Sequence, residues 1–264
     1  MSNRSLTWLK TLTEGGLQVE DFVPSVQVVD SELNGQTARF IAVVVDENNH
    51  YPRAQKGEVG LLEGWNVAKA VQQIIEKDKN NDVKTPIVAV IDVPSQAYGR
   101  REEAYGIHLA LAAAANAYGQ ARIAGHPVLG LIVGKAMSGG FLAHGYQASR
   151  LISLNDEGCM VHAMGKESAA RITLRSVEQL EALAATIPPM AYDIQNYSTL
   201  GLLWKIVDVE QATAPVAADV STIMATLIEA LDDIKANGND LSKRLQGKNR
   251  KATLEIRQMM EKAW

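Results

Sequence analysis

Gly134-Lys135-Ala136-Met137-Ser138-Gly139-Gly140-Phe141 joins a run with the look of a buried strand, His126-Pro127-Val128-Leu129-Gly130-Leu131-Ile132-Val133, to a helix-like run, Phe141-Leu142-Ala143-His144-Gly145-Tyr146. Two adjacent glycines at a strand-to-helix corner let the backbone approach a ligand closely, because neither carries a Cβ. The first N–H groups of a helix lack intrahelical partners and sit at the positive end of its dipole. Such a corner suits an anion or a developing oxyanion. Gly139 and Gly140 are therefore candidate catalytic donors, with Ser138 beside them.

Outward from the corner the chain alternates strands and helices. Pro86-Ile87-Val88-Ala89-Val90-Ile91-Asp92 is apolar on both faces, as a strand between helices should be. A loop, Val93 to Gly99, and a long helix predicted over 100–124 follow. Further upstream, Val26–Val29 and Ala38–Val45 read as strands joined by the turn Asn34-Gly35. Residues 46–57 read as a polar loop with Pro52. Leu61, Leu62, Trp65, Ala68, Val71 and Ile75 recur at helical spacing. Residues 5–12 read as a short amphipathic arm. Downstream, 150–154 and 158–163 are short strands, and the rest is mostly helical, punctuated by Pro188-Pro189 and Gly201. The alternation predicts an α/β fold with crossovers that cover one layer with another. No solenoid-length repeat and no low-complexity linker divides the chain, so residues 1–264 read as a single domain.

Composition narrows the function classes. With 264 residues and 47% hydrophobic content, the chain can bury a sizeable core. A net charge of −4 argues against a nucleic-acid surface, and 5% aromatics against base or sugar stacking. The one cysteine, Cys159, excludes an internal disulfide and points to a reducing, cytoplasmic setting. Residues 1–10 hold no apolar signal core, and no apolar run is long enough to span a bilayer.

Other residue types carry less chemistry. His50, His108, His126, His144 and His162 are scattered, with no H-E-x-x-H or Cys/His cluster, so no metal site is expected. Ser138 lacks the full G-x-S-x-G elbow, because position 136 is alanine; a capping or hole-shaping hydroxyl fits it better than a nucleophile. Cys159, in an apolar strand, reads as a small core residue. Arg100-Arg101-Glu102-Glu103 is a helix-start charge cluster that could also meet a phosphate. Residues 243–262 carry a net charge of +5, which suits either a solvated helix or a dock for an acidic carrier protein.

The strings "IDVPSQAYGRREE" (91–103), "VGKAMSGGFLAHGYQASRLISL" (133–154) and "EGCMVHAM" (157–164) resemble the carboxyltransferase branch of the crotonase superfamily. More narrowly they are similar to the gamma subunits of biotin-independent malonate decarboxylases, most densely over residues 86–165. The resemblance implies a crotonase-like core of repeated ββα units with a helical C-terminal region. It implies a beta-subunit partner and an active site between the two. The substrate would be a malonyl thioester on the CoA-derived phosphopantetheine-type arm of an acyl carrier protein, with no tightly bound cofactor. The products would be CO₂ and the acetyl thioester. Gly139 and Gly140 match the family's oxyanion hole, and Gln96, Ala97 and Tyr98, with Ser138, fall where substrate is bound. Carboxylases carry glycine where this chain has Ser95 or Gln96, a departure that fits a subunit no longer handling biotin. Two alternatives stand beside this reading: a carboxyltransferase subunit of a biotin-dependent acyl-CoA carboxylase, and a non-catalytic scaffold for the beta subunit.

Overall fold

The computed structural model describes residues 3–264. Its centre is one mixed sheet of β1 (Leu17–Gln18), β2 (Val26–Leu33), β3 (Gln36–Val43), β4 (Ile87–Val93), β5 (Val128–Met137), β6 (Arg150–Leu154) and β8 (Lys205–Val207), in that spatial order. The first three strands are antiparallel, and β3 onward are parallel. Asn34 (φ 56°) and Gly35 (φ 72°) are both left-handed, the conformation a type I′ hairpin turn requires. The parallel strands are buried on both faces, which is why they read as unbroken apolar runs.

Helices α2 (Leu61–Lys77) and α4 (Ile107–Ile123) pack against each other. They cross at Gly64, where a Cβ would lie 2.7 Å from the Ala110 backbone. The helix expected over 100–124 is two helices, α3 (Arg100–Ala104) and α4, because Gly106 adopts a left-handed φ of 82° between them. The expected N-terminal arm is instead a core helix, α1 (Arg4–Leu12). Trp8, Leu9 and Leu12 are buried, and the Trp8 indole N–H donates to the Ala212 carbonyl at 2.8 Å.

β5 runs four residues beyond the expected strand end at Val133. Its first half pairs with β6. Its second half, Lys135 to Met137, pairs with β7 (Met160–His162) instead. The β4–β5 pairing shifts register at the same place, between Ile91 opposite Ile132 and Val93 opposite Ala136. Asp92, inside that irregularity, accepts the Lys135 N–H at 2.9 Å and the Arg4 N–H at 3.3 Å. A Cβ on Gly134 would lie 2.3 Å from the Asp92 carboxylate, so glycine is needed where the two strands clamp together. Burial pushes the Asp92 carboxyl above the usual carboxylate range, against its hydrogen bonds.

Two ββα units are evident, β2–β3–α2 and β6–β7–α6 (Lys166–Ile172), with the β4–β5 crossover between them. The helical C-terminal region comprises α7 (Val177–Ala184), α8 (Ile194–Thr199), α9 (Ala217–Asn237) and α10 (Lys251–Ala263), the last with no buried residue. No helix among the described residues is long and apolar enough to cross a membrane.

Candidate active site

Both corners hang from neighbouring strands. β5 ends at Met137, and Ser138 turns the chain with a φ of 62°, a left-handed conformation that costs a serine on the order of 1 kcal/mol or more. The helix it opens, α5 (Ser138–Ala143), has only six residues. Its dipole is small, so anion affinity at this corner rests on individual donor groups, a departure from the helix-dipole reading of the sequence. The other corner follows β4. It is pinned by a bridge in which Val59 N–H donates to Ser95 O (3.1 Å) and Ala97 N–H to Val59 O (2.8 Å). Gly140 is the contact between the corners. A Cβ there would lie 2.4 Å from the Ser95 carbonyl oxygen and 2.6 Å from Val93 Cγ1.

Across that contact lies Gln96. Its Oε1 accepts the Gly139 N–H at 2.6 Å and the Ser138 hydroxyl at 2.9 Å. Of the six residues singled out in the sequence, Gln96, Ser138 and Gly139 thus meet at one oxygen, and Gly140 packs next to them against Ser95. Ala97 does not join them. It is buried against Ala54, Leu61, Ile107 and Ala110, with its N–H already given to Val59. Tyr98 is exposed at the rim.

Two cavities share the corner as a wall. The larger, about 630 Å³, is mostly apolar and is lined by Ser138, Gly139, Phe141, Leu142, His162, Met164, Leu180, Met190 and Tyr197, among others. The smaller, about 320 Å³, is lined by Gln96, Tyr98, Glu103, His108, Leu111, Gly139 and Leu142, among others. Gly139 and Leu142 face both, whereas Gly140 is buried and lines neither. Residues 160–202, which supply most of the larger cavity, read from sequence only as mixed strand and helix. Met160, Met164 and Met190 beside short amphipathic helices were the available signal.

The remaining titratable groups near the corner are structural. His144 is fully buried. Its Nε2–H donates to Val90 O at 3.2 Å, which leaves Nδ1 to accept the Tyr118 hydroxyl at 3.0 Å. Burial holds its pKa down to about 4, so it is neutral at ordinary pH. Burial pushes the Cys159 thiol up to about 12, which makes it inert as a nucleophile. His162 lines the larger cavity with Ser138, but it stacks on Tyr192 and its Nδ1 lies 2.9 Å from Met164 O. The Ser138 hydroxyl meets an amide oxygen, not a base. No group of metal-ligating side chains occurs among the described residues. Arg101 stacks on Tyr51 and Tyr105 and bonds His50. In the basic C-terminal stretch, Lys243 pairs with Asp233, Arg244 donates to Tyr146 O, and Arg250 to Leu200 O.

Residues 54–264 match the family model described as malonate decarboxylase gamma subunit. The chain belongs to that family. Over the full length of both chains it is similar to a subunit of a Pseudomonas malonate decarboxylase hetero-tetramer solved with coenzyme A, at 55% identity and a TM-score of 0.96. It is likewise similar, at 52% identity and 0.93, to one chain of a Pseudomonas malonate decarboxylase MdcD–MdcE hetero-dimer. Among curated proteins it is 33% identical over 202 residues to a malonyl-S-ACP:biotin-protein carboxyltransferase of Malonomonas rubra, covering 75% of this chain and 69% of that protein. A chain of the transcarboxylase 12S core shares the fold at 18% identity and a TM-score of 0.66, over 87% of this chain and 41% of that one. These findings bear out the crotonase-type α/β fold and the malonate decarboxylase gamma-subunit reading of the sequence.

Proposed function

We propose that this gamma subunit, with a beta subunit, removes CO₂ from a malonyl thioester carried by an acyl carrier protein, and that the Ser138–Gly140 corner is its oxyanion-stabilising element. Breaking the C–C bond releases CO₂ and leaves its electron pair as an enolate, which takes up one proton to become the acetyl thioester. The enolate charge sits largely on the thioester oxygen, so donors aimed at it favour the transition state over the ground state. Neither a metal nor a nucleophile is required. The thioester carboxylate must also be turned out of the carbonyl plane, which a second set of donors can enforce.

One observation carries the assignment. The Gly139 N–H and the Ser138 hydroxyl converge on a single oxygen, 2.6 and 2.9 Å away, where a Cβ at 139 would stand 2.2 Å off. The Gln96 carbonyl held there supports an oxygen as the atom the corner accepts. In this reading the Gly139 N–H anchors the oxygen held at the corner and Gly140 lets the two corners touch. A coenzyme-A-bound and a malonate-bound Pseudomonas relative support a substrate with a CoA-derived arm. The hetero-dimeric relative supports a beta-type partner across the site. The lone, inert thiol and the thioester chemistry support a cytoplasmic setting.

A second reading has its own observation. The 33% identical relative from Malonomonas rubra passes the carboxyl group to a biotin protein. The two readings separate in one assay. The chain, assembled with its beta-type partner, is given malonyl thioester with and without a biotin carrier and avidin. CO₂ release that needs no biotin and ignores avidin is the expected result. Turnover that requires biotin would establish the carboxyltransferase instead.

A further inference from the structure

We infer that Gln96 is itself a catalytic residue: its carboxamide Nε2–H group, oriented by Gly139 and Ser138, is the donor that the corner presents to the malonyl group. The inference rests on the malonyl-thioester reading above and names the atom that carries it out.

The orientation of the amide is forced. A backbone N–H only donates, so the Gln96 atom 2.6 Å from Gly139 N is the oxygen. The Ser138 hydroxyl donates to the same atom at 2.9 Å. With Oε1 turned into the corner, Nε2 faces the other way. It makes no hydrogen bond among the described residues, and Gln96 lines the smaller cavity together with Gly139 and Leu142. The main chain on either side is fixed, since Ser95 O and Ala97 N–H both bond Val59. The side chain is therefore held at both ends, with its Nε2 left unbonded beside the cavity that Gln96 lines.

The chemistry suits the direction. Two hydrogen bonds on an amide oxygen draw electron density from its nitrogen and make the N–H groups better donors. An anionic oxygen in the smaller cavity would be met by a polarised, preoriented Nε2–H at no reorganisation cost during the reaction. Gly139 and Ser138 then act through Gln96 and are positioning residues. The exposed Tyr98 and His108 stand at the rim of the same cavity.

The test compares Gln96→Glu and Gln96→Ala with the parent in the assembled complex. A glutamate keeps the oxygen that Gly139 and Ser138 hold, but it replaces the donor with a charge. Its turnover is expected to fall about 10²–10³-fold at neutral pH, the usual loss for one oxyanion donor, with thermal stability retained. As pH is lowered and the carboxyl protonates, an O–H donor returns and part of the rate is recovered. Gln96→Ala falls similarly and shows no such recovery. Tyr98, Glu103 and His108 face the cavity in parent and variants alike, so the recovery is read against both the parent and the Gln96→Ala profile. If Gln96→Ala matches or exceeds the parent, Gln96 merely covers the Gly139 N–H and the inference fails. If Gln96→Glu tracks the parent profile, it fails equally.

A second readout keeps this separate from the decarboxylase reading. In the ¹⁵N-labelled chain within the complex, the side-chain amide signal absent from Gln96→Ala identifies Gln96. Adding malonate should move its Nε2 protons. Unmoved signals would overturn the role of Gln96 even in an active enzyme, whereas a parent complex releasing no CO₂ would fail the decarboxylase reading alone.

Discussion

Gly139→Ala in the assembled enzyme is expected to lower turnover of malonyl thioester by about 10²–10³-fold while the protein stays folded. Gly139 has no left-handed backbone, so alanine can adopt its conformation. The added Cβ would stand 2.2 Å from Gln96 Oε1 and 3.4 Å from Leu111 Cδ2. What it meets first is the end of a side chain, which can give up its two hydrogen bonds and swing aside without moving the backbone. No oxygen, from Gln96 or from substrate, can then sit against the Gly139 N–H. Gly140→Ala makes the informative contrast. Its Cβ would meet the Ser95 carbonyl at 2.4 Å, and backbone cannot swing aside. That variant should lose stability by roughly 1–3 kcal/mol, as overpacking does, along with activity. Thermal melts and steady-state rates on both variants check the pair of expectations. A Gly139→Ala complex running at the parent rate would mean that this chain only scaffolds its partner's site.

Mild acid should weaken the support behind the corner. The His144 N–H bonds Gly140 O at 2.9 Å, and its ring joins α4 to β4 through Tyr118 and Val90. Burial depresses the His144 pKa to about 4 in the folded chain, against 6.5 when unfolded. Between those values the unfolded chain binds a proton that the folded chain does not. The stabilisation is complete above pH 6.5 and is lost as pH falls towards 4, a total on the order of 3 kcal/mol. Burial lowers the His162 pKa too, and that adds in the same direction. Asp92 works the other way, because its raised carboxyl pKa favours the protonated folded state as pH falls. Urea unfolding at pH 7 and pH 5 should therefore show a clear drop for the parent and a much smaller one for His144→Gln. Equal drops would assign the acid sensitivity elsewhere.

Much of this arrangement is legible before folding. Val128–Val133 and Ile87–Ile91 announce themselves as doubly covered strands, because the second is apolar throughout and the first is interrupted only by Gly130. The Asn34-Gly35 turn and the Ser138-Gly139-Gly140 corner are equally plain, since each needs a backbone that few residues allow. What stayed hidden depends on partners distant in the chain. Gly134 looks like the start of a turn, yet it is glycine because the Asp92 carboxylate occupies the space of its Cβ. Trp8 looks like part of a surface arm, yet its indole finds an acceptor 204 residues away. Gln96 reads as a loop residue. Nothing local reveals that its carbonyl meets Gly139, 43 positions on. The larger cavity is assembled from short pieces of residues 160–202, each too brief for periodicity to identify.

This chain is expected to contribute an oxyanion corner to an active site completed by a second subunit. The most direct test is CO₂ release from malonyl thioester by the chain alone, by its beta-type partner alone, and by the two together. The two together should decarboxylate, and neither should do so alone. Robust turnover by the isolated chain would contradict the account and make it a self-sufficient enzyme.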